Sequence, residues 1–465
     1  MKSLTCAIIL LFSLTMSAQD ITGTWNGALN IQGMQLRIVF HITMEEDAYN
    51  SKLDSPDQGA SNIPTDSTTF IQDTLRIYAS QLRMVYKAAF NKEEDTFEGT
   101  FTQGPMKLPL SLSREPIEKE VKRRAQDPVD IQYHEEEVVF TNPAGGHQLA
   151  GTLTLPQDGI FSKAVILVSG SGPQNRDEEL LGMNHRPFLV LSDYLTRNGI
   201  AVLRYDDRGV GESTGDFQSA TTADLAEDAR SALNFLRSRK DMKGVQIGIL
   251  GHSEGGMIAP ILASEDKGPD FIGLLAGPGI PIKELMLLQT AQISRASGLS
   301  EDEILKNNRV QEKLFQYIID HHDTQKDSLV ENLKTILNTY LDGLSEEEIA
   351  EIGNRSEFVD NQIASITSDW FIYFIRFDPT PYLKRVSCPV LAINGSLDVQ
   401  VTSKENLEGI RMALKDNANV KIEEISGQNH LFQQANTGAT SEYGIIEETF
   451  NESTMSMILE WLKTL

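Results

Sequence analysis

Short apolar runs separated by helical stretches are the feature that most restricts the fold of this 465-residue chain. The runs lack the polar–apolar alternation of strands with one solvated face, so we expect both faces of each strand to be buried. Helices are predicted at 188–198 and 222–239 between them. The pattern predicts an α/β fold with a doubly wound, mostly parallel sheet over residues 133–465. The predicted strands are 164–168, 200–203, 245–250, 271–275, 390–393 and 420–425.

The strand–helix rhythm stops between residues 281 and 386, where the sequence is rich in polar residues and helix formers. An insertion of this size predicts a helical cap over the carboxyl ends of the strands, where ligands bind in such sheets. An aromatic run in the cap predicts either an apolar substrate pocket or the cap's own core. Its members are Trp370, Phe371, Tyr373, Phe374 and Phe377.

Residues 19–115 follow a different pattern, with alternating strand-like segments, turn-rich connections and no strong helical period. This predicts a small N-terminal antiparallel β domain, a sandwich or a barrel. The segment 23–27, with the sequence GTWNG, resembles the first strand of lipocalin-like barrels, and Trp25 is predicted either to lie in the core or to line a ligand pocket. The charged stretch that follows predicts a solvated linker at 116–132.

The first eighteen residues have the pattern of a secretory signal peptide. Lys2 precedes an apolar segment at 4–14, and Ser17 and Ala18 are the small residues expected at a cleavage site. We therefore expect an exported protein, periplasmic or secreted. Cys6 lies inside the signal, so Cys388 would be the only cysteine of the mature chain and no internal disulfide is expected.

The chain has 41 basic and 66 acidic residues, a net charge of −25. Such a surface repels phosphate backbones, so a nucleic-acid partner is not expected. Beyond the signal, no segment has the roughly 18 consecutive apolar residues of a membrane span. The predicted partner is a small-molecule substrate, and the chain is predicted to be a monomer or a homodimer.

The segment 251–256, GHSEGG, follows a predicted strand and opens an apolar helical run. A G-x-S-x-G pentapeptide in this context is a nucleophile elbow, in which a sharp turn exposes the serine Oγ. Ser253 is therefore the predicted nucleophile. Ser213 also lies in a G-x-S-x-G pattern, but neither a strand nor an apolar helix flanks it, so it is rejected.

A serine nucleophile needs a histidine base, and the histidine needs an orienting carboxylate. Three histidines follow Ser253. His321 and His322 lie in the helical insertion and are predicted to be solvated, without the further ligands of a zinc site. His430 follows the last predicted strand in a polar loop, and it is the predicted base.

The predicted acid is Asp398, which lies at the carboxyl end of the buried strand 390–393. Asp378 precedes a proline at the end of the insertion, and Asp416 lies in a polar helix-like stretch, so both are less suitable. The oxyanion hole needs two backbone N–H groups. They are assigned to Glu254, which follows the nucleophile, and to Ser171 in the glycine-rich loop after the first parallel strand.

The motifs SGSGP, DDRGVGES, GHSEGG, NGSLD and GQNH occur in an order that resembles the α/β-hydrolase superfamily. Within it, the chain is similar to exported bacterial esterases related to serine aminopeptidases and monoglyceride lipases. The resemblance covers residues 133–465 and implies Ser253, Asp398 and His430 as a catalytic triad. It also implies a buried ion pair for Arg208. Many relatives carry histidine where this chain has Ser169.

These observations predict a serine carboxylesterase that acts through an acyl-enzyme, with no cofactor and no metal. One alternative is a serine exopeptidase of the aminopeptidase type, which would need a cap carboxylate to bind the substrate ammonium. Glu346, Glu347, Glu348 and Glu351 are candidates, although their run is typical of a solvated helix face. A second alternative is a ligand-binding protein with an accessory hydrolase domain.

Overall fold

The computed structural model describes residues 20–31, 34–45, 48–58, 60–103, 106–117, 123–180, 182–352 and 354–465. The predicted signal peptide, residues 1–18 with Cys6, lies outside the described residues. The chain divides into two compact units, Met1–Val121 and Lys122–Leu465. This division falls inside the predicted linker 116–132.

The first unit is an antiparallel meander of strands in two sheets, ordered β1-β2-β3-β4 and β5-β6-β7-β8-β9. Paired Asn26 and Ser113 backbones join β1 to the end of β9, and on the other side the hydroxyls of Ser51 in β3 and Thr68 in β5 hydrogen-bond at 2.6 Å. The two sheets therefore meet at both edges, as in a small barrel. The strands are β1 Gly23–Ile31, β2 Met34–Glu45, β3 Ala48–Ser55, β4 Ala60–Pro64, β5 Ser67–Ile71, β6 Thr74–Ala79, β7 Met84–Asn91, β8 Thr96–Gln103 and β9 Met106–Leu112.

Large side chains fill the interior of this unit. Trp25 is fully buried, its ring packs against Phe97 at 4.5 Å between centroids, and its Nε1 donates to the Ile21 carbonyl at 2.8 Å. Phe40 and Tyr86 stack beside it in the same core. Of the two predictions for Trp25, the structure places it in the core.

The second unit contains an eight-stranded sheet in the order β10-β11-β13-β12-β14-β15-β16-β17. β10 and β11 are antiparallel to their neighbours, and the six strands from β13 to β17 run parallel. The central strands are buried on both faces, as their continuous apolar sequences predict. The strands are β10 His134–Thr141, β11 Gln148–Leu155, β12 Lys163–Val168, β13 Ala201–Tyr205, β14 Gln246–His252, β15 Ile272–Leu275, β16 Val390–Gly395 and β17 Val420–Ile425.

Helices cover both faces of this sheet, which makes it doubly wound. α1 Pro187–Arg197 and α12 Glu452–Thr464 pack in one apolar core. α2 Thr222–Ser238, α3 Gly255–Ala263 and α11 Ser403–Ala413 pack in the other. The predicted fold class is confirmed.

The insertion between β15 and β16 is helical, as predicted, and its apolar residues extend the core around α2 and α3. Its helices are α4 Ile282–Ala296, α5 Glu301–Asp320, α6 Lys326–Leu341, α7 Glu346–Ile352, α8 Arg355–Ile366, α9 Asp369–Ile375 and α10 Thr380–Leu383. Within the described part of the chain, none of the helices has both the length and the apolar composition to span a bilayer.

The end of the predicted linker differs from the expected solvated stretch. Asp127 is buried and paired with Arg186, and the Gln126 side chain donates to the Phe450 carbonyl at 2.8 Å. The Arg124 guanidinium donates to main-chain carbonyls of the same unit. Arg124 and Asp127 therefore bond to partners within the α/β unit and are not fully solvated. The charge pattern alone does not predict these contacts.

Candidate active site

Ser253 lies in the sharp turn between β14 and α3, with its φ at +52° in the left-handed region that serine rarely adopts. Its N–H donates to the Leu275 carbonyl at 2.9 Å, which fixes the turn against β15. Gly251 and Gly255 flank this turn, and neither position has room for a Cβ. A Cβ on Gly251 would lie 2.0 Å from the Gly255 carbonyl oxygen, and one on Gly255 would lie 2.1 Å from that of Val168.

Asp398 and His430 are paired at the carboxyl edge of the sheet. The Asp398 Oδ2 lies 2.8 Å from His430 Nδ1, and both side chains are almost fully buried. The other carboxylate oxygen of Asp398 accepts the N–H groups of Gln400 and Val401, each at 2.8 Å. These three hydrogen bonds fix the carboxylate, so the imidazole orientation is fixed as well.

The loop that carries His430 is stabilised by the buried side chain of Asn429. Its Oδ1 accepts the N–H groups of Leu431 and Gln433, each at 3.0 Å. Phe432, two residues after the histidine, has a φ of +57° and packs in the core beside α1 and α12. The loop is therefore held by buried contacts on both sides of His430.

The loop after β12 lies against the serine. A Cβ on Gly170 would come within 3.1 Å of the Ser253 Cβ. The Gly170 N–H donates to Glu178 Oε1 at 2.8 Å. Within the described residues, the next N–H, that of Ser171, and the N–H of Glu254 have no protein acceptor. These are the two amides that the sequence assigns to an oxyanion hole.

A cavity of about 290 Å³ brings these elements together. Ser253, His430, Ser171 and Glu254 line it, and the cap residues that line it are mainly apolar. The cap residues that line it are Leu285, Met286, Gln289, Trp370, Phe371 and Phe374. Tyr373 and Phe377 of the same aromatic run pack near Tyr382 instead. The run is thus partly pocket wall and partly cap core.

Comparison with known proteins finds similarity to hydrolases. The serine aminopeptidase S33 family profile matches residues 185–346. Esterase EstD of Thermotoga maritima is 27% identical over 406 residues, covering 84% of this chain and 86% of that protein. The chain has the α/β-hydrolase fold, and these similarities support a hydrolase of the esterase type.

The hydrolase is also similar to other proteins. An uncharacterised 31.7 kDa protein of Escherichia coli is 22% identical over 68% of this chain and 95% of its own length. Among solved structures, the esterase Pf2001 of Pyrococcus furiosus matches with a TM-score of 0.45 and 17% identity, covering 74% of this chain and 98% of that one.

The Glu254 side chain joins the elbow to the cap of this hydrolase. Its carboxylate accepts the Thr222 hydroxyl at 2.6 Å and the Trp370 indole N–H at 3.0 Å. Burial raises the pKa of the Glu254 carboxyl, and hydrogen bonds from Thr222, Ser171 and Trp370 oppose that shift. One residue thus lines the cavity and anchors a cap helix with its side chain.

Other candidates lie away from the cavity. Ser213 is buried, donates to the Asp206 carbonyl at 2.7 Å and accepts the Ala150 N–H at 2.9 Å, a structural role. His321 is exposed and stacks on Tyr317. Among the described residues, no group of three or more His, Cys, Asp or Glu side chains is arranged to hold a metal.

Arg208 and Ser169, two residues singled out by the family resemblance, both contact buried carboxyl groups. Arg208 forms the buried ion pair implied for it, with its Nε 2.6 Å from Asp228 Oδ2. Ser169, where many relatives have histidine, donates from its Oγ to Asp207 Oδ1 at 3.3 Å. The hydroxyl is therefore anchored to a buried carboxyl group.

Sequence reasoning missed two residues of this site, Glu178 and His252. His252 stood only as the variable position of the G-x-S-x-G pattern, and Glu178 lies 74 residues before it in a polar loop. In the structure both are buried, and they line the same cavity as Ser253. No spacing rule joins them, because the contact depends on how the β12 loop folds over the elbow.

Proposed function

We propose that this hydrolase is a serine carboxylesterase. Ser253 attacks the ester carbonyl carbon, and His430 takes the hydroxyl proton and passes it to the leaving alcohol. Asp398 holds the His430 ring with Nδ1 protonated, so that Nε2 is the basic nitrogen. Water then attacks the acyl-enzyme with the same proton transfers reversed, which releases the carboxylic acid and regenerates Ser253.

The amides of Ser171 and Glu254 are proposed as the oxyanion donors. Both belong to residues that line the cavity, and neither N–H has a protein acceptor in the described structure. Donors that are already in place stabilise the tetrahedral intermediate without the cost of reorganisation. The anchored β12 loop, held through Gly170, supports this assignment.

The observation that carries the proposal is that one cavity is lined both by Ser253 in its strained turn and by His430, whose Nδ1 is bonded to the buried Asp398. The name of the Thermotoga maritima relative, an esterase, supports the same reaction. No other arrangement in the described residues combines a strained serine with a carboxylate–histidine pair.

The exopeptidase alternative draws on the name of the S33 family. Aminopeptidase activity needs an anion at the cavity to bind the substrate ammonium. Of the described cap residues, none that lines the cavity is a carboxylate, and Glu348 lines a separate cavity inside the cap. Glu178 and Glu254 line the cavity, but protein donors occupy both. This lining favours an uncharged ester.

The test compares two substrate classes on the purified full chain. p-Nitrophenyl esters from acetate to dodecanoate are assayed beside aminoacyl arylamides at equal concentration. We expect ester hydrolysis and little or no arylamide cleavage. Higher kcat/KM for the arylamides would contradict the proposal and favour the exopeptidase.

We also propose export, from the pattern of residues 1–18. Expression of the full chain in a bacterial host with periplasmic fractionation tests it. The N-terminal residue of the exported protein should be Gln19. A cytoplasmic protein that retains Met1 would contradict export.

A further inference from the structure

His252, directly before Ser253, is a buried histidine whose two ring nitrogens both face oxygen atoms. Its Nδ1 lies 2.8 Å from Glu178 Oε1, and its Nε2 lies 2.9 Å from the His430 carbonyl oxygen. Both residues of the Glu178–His252 pair are at least nine-tenths buried. The reaction proposed above uses neither side chain.

The partners of the ring determine its protonation. A backbone carbonyl only accepts hydrogen bonds, so Nε2 of His252 must carry a proton. Glu178 Oε1 already accepts the Gly170 N–H at 2.8 Å, and the same oxygen faces Nδ1. If Nδ1 also donates, His252 is an imidazolium, and Glu178 is the counter-charge that a buried cation requires.

The surroundings agree with this assignment. Burial would lower the pKa of His252, but the charge of Glu178 and its hydrogen bond, the His430 carbonyl and the charge of Asp398 outweigh burial, so the pKa is raised. The other titratable neighbours are His430, whose ring centroid is 4.8 Å away, and His185. Glu178 itself has a φ of +51°, a strained backbone conformation that is retained at this site.

We infer that the His252 imidazolium and the Glu178 carboxylate form a positioning pair for the reaction. The pair links three segments: the oxyanion loop through the Gly170 N–H, the elbow through His252 itself, and the base loop through the His430 carbonyl. It sets the distance of His430 and of the oxyanion amides from Ser253. This inference rests on the proposed function, because it assigns His430 as the base.

The first test does not depend on activity. Ring ¹⁵N and ¹H NMR spectra of the Ser253→Ala full chain report the protonation of each histidine. We expect both nitrogens of His252 to be protonated from pH 6 to 8, and His185 to be neutral in the same spectra. A His252 ring with one bare nitrogen at pH 7 would overturn the inference.

The same spectra test positioning. Glu178→Gln keeps the shape of the side chain and removes its charge. In the Ser253→Ala background this change should shift or broaden the His430 Hδ1 resonance while leaving the Hε2 resonance of His185 in place, because the His185 Nε2–H donates to the Thr449 carbonyl. An unchanged His430 signal would overturn the positioning role, whether or not the wild-type chain hydrolyses esters.

Kinetics provide the third readout on the esterase itself. Glu178→Gln and His252→Gln should each lower kcat by about 10²-fold with little change in KM, because misplacement of a reacting group by about 1 Å costs this much. The double variant should be no slower than the slower single variant, since the two residues act as a unit. Glu178→Asp, which keeps the charge, should recover part of kcat.

The matched control is His185→Gln, another buried histidine in the same unit that bonds the Thr449 carbonyl at 2.9 Å. It should lower the melting temperature and leave kcat near the wild-type value. If it lowers kcat as much as His252→Gln does, the effect is general destabilisation and the inference fails. A wild-type chain without ester hydrolysis would instead refute the proposed function, and the NMR spectra would still decide the charge of His252.

Discussion

Ser253 and Ser213 share the same pentapeptide pattern but occupy opposite environments. Ser253 is strained and faces the cavity, whereas the Ser213 hydroxyl is used in two buried hydrogen bonds. Ser253→Ala should therefore lower kcat on the order of 10⁵-fold while the chain stays folded. Ester turnover and thermal melting of the purified variants measure both effects.

Ser213→Ala is the comparison for that experiment. It should keep most of the activity and lose about 1–2 kcal/mol of stability, because the Ala150 N–H loses its acceptor. If Ser213→Ala abolished turnover in a folded protein while Ser253→Ala did not, the nucleophile would be misassigned.

His185 makes stability dependent on pH. Burial and the charge of Arg124 lower the pKa of His185 to about 3, whereas an unfolded histidine titrates near 6.5. The unfolded chain therefore binds this proton first, so the native state loses stability as the pH falls below about 6.5. By pH 4 this loss should reach about 3 kcal/mol.

His185→Gln removes the titrating group and tests this expectation. The difference in unfolding free energy between wild type and variant should shrink as the pH falls from 7 to 4, measured by urea denaturation. A difference that stays constant with pH would show that folding does not lower the pKa of His185.

At the scale of single residues, chain order and context were sufficient to nominate Ser253, Asp398 and His430. Ser253 and His430 line one cavity in the structure, and Asp398 is bonded to His430. Each of them follows a recognisable strand. Glu178 could not be found in this way, because its partners His252 and Gly170 are joined to it only by tertiary folding.

At the scale of elements, the elbow depends on close backbone contact between β14 and α3. Gly251→Ala would place a methyl group 2.0 Å from the Gly255 carbonyl oxygen, so one of the two elements must shift. We expect a loss of about 3 kcal/mol in stability or more, with reduced activity in the folded fraction. Thermal melting measures the loss.

Gly244→Ala is the control for Gly251→Ala, because a Cβ at position 244 meets no neighbouring atom. A Cβ there meets nothing within 4 Å, although its φ of +82° makes alanine strained. Gly244→Ala should cost about 1 kcal/mol and leave kcat unchanged. A Gly251→Ala variant as stable as Gly244→Ala would contradict the packing argument.

Helix α9 provides an internal comparison for the cap. Phe374 lines the cavity, and Tyr373 beside it does not. Phe374→Ala should weaken transition-state binding of octanoate esters by about 1–3 kcal/mol and affect acetate esters little. The ratio of kcat/KM for octanoate and acetate measures this.

Tyr373→Ala should leave that ratio near the wild-type value. If both variants fold and neither changes the ratio, the acyl chain does not lie against α9. If Tyr373→Ala changes it as much as Phe374→Ala, the effect comes from the packing of the helix rather than from contact with the chain.

The sequence predicted the bounds of strands and helices in the α/β unit closely. It predicted the packing of the connecting segments less well. β17 spans the predicted residues 420–425, and α2 ends one residue before the predicted helix does. These elements are defined by apolar periodicity, which is local. The packing of Arg124 and Asp127 against the α/β unit was missed, because partners such as Arg186 are set by the tertiary fold.

At the scale of the whole molecule, the two units have separate apolar cores. Among the described residues, the core around Trp25 contains residues of the first unit alone, and the two cores of the sheet contain residues of the second alone. Residues 123–465 expressed without the first unit should therefore fold cooperatively and hydrolyse short esters.

Circular dichroism, thermal melting and the acetate ester assay check this expectation. The full chain purified in parallel is the control. A fragment that is folded but inactive would show that the first unit contributes to catalysis. A fragment that does not fold would show that the cores are not independent.

The cap leaves the sheet after β15 and returns at β16, and these two strands are direct neighbours in parallel register from Ile272–Val390 to Leu275–Ile393. β15 and β16 can therefore pair in the same register whatever number of residues lies between them. During divergence, a gene segment encoding α4–α10 could be exchanged for one of another length without moving Asp398 or His430. Substrate range in this lineage can thus evolve by replacement of a whole module, while the reaction chemistry is inherited unchanged.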